Sequence, residues 1–253
     1  MRGNEEAGDR PGRSVIRRSM AVLIGAVAMA GLVGTASPAA AADVPRCYGY
    51  AATIVGTPGD DWKTGTPGRD VIVGLGGNDH LYGAGGNDII CGDAGDDHID
   101  GGSGDDKIAG EQGNDYLSGW SGNDTIEGFW GNDRILGGAG DDHLYGGDNH
   151  DFWRNMGNDT VAGDEGNDVI YGMAGNDTLR GGPGNDRLEA NAGSDLLFDL
   201  TGRDRLSGGS GTDTLFARDA HPAFHDDVVD GDAGLDRCVF NGAGRDEVHG
   251  CES

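Results

Sequence analysis

The chain has 253 residues, 51 of them glycine, with 44 acidic against 18 basic side chains and a formal net charge of −26. Such acidity argues against nucleic acid or an anionic membrane as a partner, because phosphate binding needs clustered Lys and Arg. So acidic and glycine-rich a chain reads as disordered unless something positive orders it.

Residues 1–42 read as an address rather than as structure. Arg10, Arg13, Arg17 and Arg18 precede the apolar run from Met20 to Val33, and Ala40-Ala41-Ala42 offers a small-residue cleavage site before Asp43. That is the layout of a secretory signal peptide. The run is too short to span a bilayer, and no other segment is apolar enough, so the expectation is a secreted, extracellular protein without membrane insertion. Arg17-Arg18 also permits a twin-arginine reading, which Ser19-Met20-Ala21 fits loosely. Residues 43–55 follow as an N-terminal cap segment carrying Cys47 and Ile54-Val55.

From Gly56 to Phe216 the chain repeats every nine residues. Gly74-Leu75-Gly76-Gly77-Asn78-Asp79-His80-Leu81-Tyr82 is one copy and Gly83-Ala84-Gly85-Gly86-Asn87-Asp88-Ile89-Ile90-Cys91 the next. Counted from the leading glycine, position 4 is Gly except at Asn149, and position 6 is always Asp. The position-6 series opens at Asp61 and continues through Asp70, Asp79, Asp88, Asp97, Asp106, Asp115, Asp124 and Asp133. It goes on through Asp142, Asp151, Asp159, Asp168, Asp177, Asp186, Asp195, Asp204 and Asp213. Position 8 is a large apolar residue from Ile72 onward, with Trp153 standing in the copy that holds Asp151 and Lys63 breaking the first. One residue is missing from the period near Asn155-Met156.

One apolar residue in nine cannot make a helical face. Glycines at positions 1 and 4 suit turns of positive φ, and the last three positions suit a three-residue strand. The expected unit is therefore a flat coil of two copies, stacked so that position-8 side chains meet between two parallel sheets, with stability coming from neighbours as in other solenoids. Stacking also brings the position-6 carboxylates of copies n and n+2 close together, and like charges so placed oppose folding. A hard cation resolves this, and Ca²⁺ takes six or more oxygen ligands at about 2.3–2.6 Å, carboxylates and backbone carbonyls among them.

The repeat resembles the RTX (haemolysin-type) calcium-binding nonapeptide G-G-x-G-x-D-x-U-x, which is itself one of the catalogued repeat patterns. Gly137-Gly138-Ala139-Gly140-Asp141-Asp142-His143-Leu144-Tyr145 and Gly181-Gly182-Pro183-Gly184-Asn185-Asp186-Arg187-Leu188-Glu189 match it closely. The resemblance implies an all-β parallel β-roll of two repeats per coil that holds multiple Ca²⁺ ions through the position-6 aspartates, from Asp70 to Asp213 with Asp151 set aside, and through turn carbonyls. It covers residues 56–216. An N-terminal leader departs from the C-terminal export signal that many such proteins use.

Four cysteines in an exported chain allow three pairings; Cys47 with Cys91 and Cys238 with Cys251 would staple the two ends. Phe129, Trp130, Phe152 and Trp153 gather near the missing residue, as a stacking patch for carbohydrate or as a bulge. Residues 217–253 form degenerate repeats after a five-residue insertion, Ala217 to His221, with Asp227, Asp236 and Asp246 in register. His221 and His225 are four apart, a zinc spacing on a helix, but Pro222 between them favours a capping loop. His80, His98 and His143 fall at position 7, facing solvent. No His-Glu-x-x-His or Gly-x-Ser-x-Gly occurs, so a non-enzymatic calcium-binding module is expected. An adhesin or polysaccharide-binding module on the same scaffold is the alternative.

Overall fold

The computed structural model describes residues 44–147, 157–199, 201–217, 227–240 and 247–252; the expected signal peptide, Phe152, Trp153, His221, His225 and Asp246 lie outside them. Among the described residues the chain is all strand and turn, without a helix. No helix there is long and apolar enough to cross a membrane.

Beside a two-stranded antiparallel pair, Arg46–Cys47 with Tyr50–Ala51, two large sheets form, each of parallel strands two copies apart. One runs from Trp62–Thr64 through His80–Gly85, His98–Ser103, Tyr116–Ser121, Arg134–Ala139, Thr160–Glu165, Thr178–Arg180, Leu196–Asp199, Thr214–Ala217 and Asp236–Phe240 to Cys251–Glu252. The other starts at Ile54–Val55 and runs through Val71–Val73, Ile89–Ala94, Lys107–Gln112, Thr125–Trp130, His143–Tyr145, Val169–Ala174, Arg187–Gly193, Arg205–Ser207 and Val228–Asp230 to Glu247–His249. Leu81 sits beside Ile99 and Ile99 beside Leu117, an offset that keeps every position-8 side chain over its equivalent one coil away. This is the expected β-roll.

The core is a single file. Ile72, Leu81, Ile90, Ile99, Ile108, Leu117, Ile126, Ile135, Leu144, Val161, Ile170, Leu179, Leu188, Leu197, Leu206, Leu215 and Val229 are buried between the sheets. Each copy contributes about one side chain of apolar burial, roughly 1.5–3 kcal/mol, which cannot offset the entropy of ordering nine residues. The hydrophobic effect alone therefore does not hold the roll together.

Two expectations about the backbone need correction. Many strands are six residues long rather than three, because positions 1–3 also pair between coils, as Trp120 with Gly138 and Ser121 with Ala139. Positive φ falls at positions 2 and 4, not 1 and 4: Leu75, Ala84, Glu111, Trp120 and Phe129 at position 2 all adopt it. Non-glycine residues tolerate that conformation at a cost, and the paired strands on either side impose it.

The ends are closed covalently by Cys47–Cys91 and Cys238–Cys251, as expected. Their sequence separations of 44 and 13 residues correspond to about 4 and 3 kcal/mol of loop-closure stabilisation. Cys91 is buried by the cap, where Cys47, Tyr48 and Ala52 pack on Val71, Val73, Ile89 and Ala109. Phe129 packs against the same cluster, whereas Trp130 is exposed. The other two residues of the aromatic patch anticipated there, Phe152 and Trp153, lie outside the described residues.

Candidate metal centres along the edges of the roll

The turns place the position-6 aspartates in two rows, one along each edge. In one row Asp79, Asp97, Asp115, Asp133, Asp159, Asp177, Asp195 and Asp213 follow one another; in the other, Asp70, Asp88, Asp106, Asp124, Asp142, Asp168, Asp186 and Asp204. Each backbone N–H donates to Oδ1 of the aspartate one coil further on: Asp97 to Asp115 at 2.8 Å, Asp124 to Asp142 at 2.8 Å. Every sequence-predicted aspartate is thus brought into a ladder and buried.

The second carboxylate oxygen is what defines the site. Oδ2 of Asp79, Asp88, Asp97, Asp106, Asp115, Asp124, Asp133, Asp142, Asp159, Asp168, Asp177, Asp186, Asp195 and Asp213 is buried and meets no hydrogen-bond donor. A buried charged group left so costs several kcal/mol. In most copies Oδ2 converges with the carbonyl of the position-1 residue one coil on, over the copy's own position-1 glycine. A methyl on Gly119 would overlap Asp124 Oδ2 and come within 2.7 Å of the Gly137 carbonyl oxygen. Position 1 is glycine because two oxygens from different copies converge over it, which is a need for space and not for conformation.

The electrostatics agree. Burial first, then neighbouring aspartates, push Asp97, Asp106 and Asp115 up to about 7 from an ordinary 3.8, against the backbone N–H that favours the anion. Burial raises Asp142 and Asp177 to about 8 and Asp88 and Asp124 to about 6. At the worn first copy the trend reverses: Lys63 and then Thr57 hold the Asp61 carboxyl below its usual range. Lys63 Nζ lies 2.9 Å from Asp61 Oδ1, so the residue that breaks the core supplies a cation at the end of the row. Asp70 also differs from its successors, since the Thr66 backbone N–H and hydroxyl donate to its Oδ2 at 2.6 and 2.8 Å. The protein satisfies this carboxylate itself.

Around the missing residue the ladders pass from Asp133 to Asp159 and from Asp142 to Asp168, an offset of 26 where other rungs use 18. Gly146 faces Asp159 as its own position-6 partner. The described ladder thus passes from Asp133 directly to Asp159, and Asp151 and Trp153 lie outside the described residues. The five-residue insertion after Phe216 is present, since Asp204 pairs with Asp227 and Asp213 with Asp236 at an offset of 23.

Position 5, unremarked in the sequence reading, forms a second and exposed ladder of opposite direction. Asn114 N–H donates to Asp96, Asn132 to Asn114, and Asn158 to Asn132, at 2.8–3.0 Å. Its signal was the recurrence of Asn and Asp before the invariant Asp. At position 7, His80 and His98 do not simply face solvent: Trp62, His80, His98 and Tyr116 stack in a column, the last pair 4.7 Å apart.

Rows of buried, under-bonded carboxylates facing carbonyls along a parallel β-solenoid define a cation-binding roll. The profile of the RTX calcium-binding nonapeptide repeat matches residues 64–99, 92–126, 127–152, 153–188 and 189–219, and the chain belongs to that family. The family's repeats bind calcium, the ion that the oxygen-only ligand set suits. No curated protein matches the sequence.

Proposed function

We propose that this is a secreted, non-enzymatic calcium-binding module that folds when Ca²⁺ fills the two edges of the roll and then serves as a structural or surface element. The orphaned Oδ2 atoms carry the reading: buried carboxylates in two rows need positive charge, and the chain has too few basic residues to supply it. The ions would sit between coils, between Asp79 Oδ2 and its equivalents and the carbonyls of position-1 residues. Residues 1–42 would direct export and 43–55 would cap the roll outside the cell, where two disulfides form readily.

Far-UV circular dichroism of residues 43–253 tests the coupling of binding to folding. A disordered spectrum turning to β on adding Ca²⁺ at about 0.1–1 mM, and not on adding Mg²⁺, is the expected result; a spectrum indifferent to calcium would sink the reading. A polysaccharide or cell-surface ligand, the second reading, would meet exposed aromatics such as Trp62 and Trp120, which share one sheet face. Amphipathic rings at a surface are suited to such stacking. Retention of the calcium-loaded chain, lost on Trp120→Ala, on an immobilised-glycan panel supports it, and no retention on any glycan rejects it.

A further inference from the structure

One copy departs from the repeat in a way that changes its chemistry. Position 1 is glycine in nearly every copy, but in residues 199–207 it is Asp199. The residue belongs to the strand Leu196–Asp199 and pairs in register with Ala217, so the ladder accepts it without a break. Its side chain turns inward and is 1% exposed.

Elsewhere the room above a position-1 glycine is bounded by one carboxylate and one neutral carbonyl. Above Gly172 these are Asp177 Oδ2 and the Ala190 carbonyl oxygen. Above Gly181 the nearest atoms are Asp199 Oδ2 and Asp186 Oδ2, so a carboxylate stands where the carbonyl does in other coils. Asp204, the next carboxylate of the same edge, completes the group: one oxygen each from Asp186, Asp199 and Asp204 lies within 4.8 Å of the others. Oxygens that share one Ca²⁺ at about 2.3–2.6 Å can be separated by at most about twice that distance, so the three fit a single ion. Asp186 is itself 3% exposed, and its Oδ2, aimed into this space, meets no partner but the Asp199 carboxyl, a second buried acid that a cation would have to offset.

We propose that Asp199 turns the ladder site at Asp186 and Asp204 into a calcium site one negative charge richer than its neighbours, which fills before the rest of the roll. The proposal rests on the calcium reading of the ladders and adds Asp199 as a ligand that the repeat pattern does not contain. Site affinity for Ca²⁺ rises with the number of charged ligands, which is greater here.

The test is calcium uptake by the full chain in competition with a chromophoric chelator, comparing wild type with Asp199→Gly and Asp199→Asn. The first substitution restores what the repeat places at position 1; the second keeps the shape and removes the charge. Wild type is expected to take up one ion about tenfold or more tighter than the others. Both variants should lose the tight mode alone, that ion falling to the affinity of the others, with the total uptake and the calcium-saturated circular dichroism unchanged. An equally tight first ion in both variants, or no separate tight ion in wild type, overturns the proposal and leaves the ladder reading standing. A wild type that binds no calcium at all overturns the ladder reading, and this site with it.

Discussion

Stripped of calcium, the chain is expected to hold its β structure near pH 5 and to lose it by pH 8. The buried ladder carboxylates titrate in the folded roll at about 6 to 8, as Asp88, Asp124, Asp133, Asp142, Asp168 and Asp195 illustrate, against 3.8 when exposed. Burial is the leading cause in each and repulsion between neighbouring aspartates adds to it for most. Between pH 4 and 7 the folded state therefore holds protons that the unfolded chain has released. Stability falls with rising pH wherever the folded state binds more protons, so the calcium-free roll is most stable near the acid end and loses that contribution as pH passes about 7. Calcium reverses the trend by supplying the positive charge that protons supply in acid. Its apparent affinity should rise about tenfold or more from pH 6 to pH 8, because the ion displaces protons from its ligands. Circular dichroism across this range, with and without calcium, reads both effects. A calcium-free chain equally folded at pH 5 and pH 8 would contradict the account.

Gly119→Val should be among the most damaging single substitutions in the chain. The added Cβ overlaps Asp124 Oδ2 and sits 2.7 Å from the Gly137 carbonyl oxygen, a backbone atom fixed by the ladder on either side. The side chain would occupy the space between two cation ligands, so it adds overpacking to the loss of an ion. We expect a cost of more than about 4 kcal/mol, the range reserved for such combined defects. The matched control is Gly76→Ala at position 3, whose added Cβ meets nothing closer than the Ala94 carbonyl oxygen at 3.4 Å. Calcium-dependent thermal melts separate the two: the midpoint should drop sharply for Gly119→Val and hardly move for Gly76→Ala. Equal, small effects would mean that the position-1 cradle holds no ion.

Much of this architecture is legible in the residues themselves. Invariant Asp at position 6 and apolar residues at position 8 are enough to predict the stacked coils, the single-file core and the two carboxylate rows, because a nine-residue period leaves each side chain one face to occupy. The cysteine pairings followed from placing one pair at each end. What escaped was set by contacts between coils rather than by the pattern within one. Position 1 looks like a turn glycine, and only the approach of Asp Oδ2 and a carbonyl from different copies shows that it is a space-keeper. Asp151 and Asp159 both satisfy the motif, and only the pairing of Asp133 with Asp159 decides between them. Lys63 reads as a lost core residue until its ammonium is seen against Asp61.

The most direct measurement is anomalous scattering from crystals of the chain grown in calcium. The account predicts two rows of calcium peaks, one along each edge, each peak beside a ladder Asp Oδ2 such as that of Asp97 or Asp124 and spaced about 4.8 Å, the distance between stacked strands. Edges without peaks at saturating calcium, with the roll intact, would contradict it.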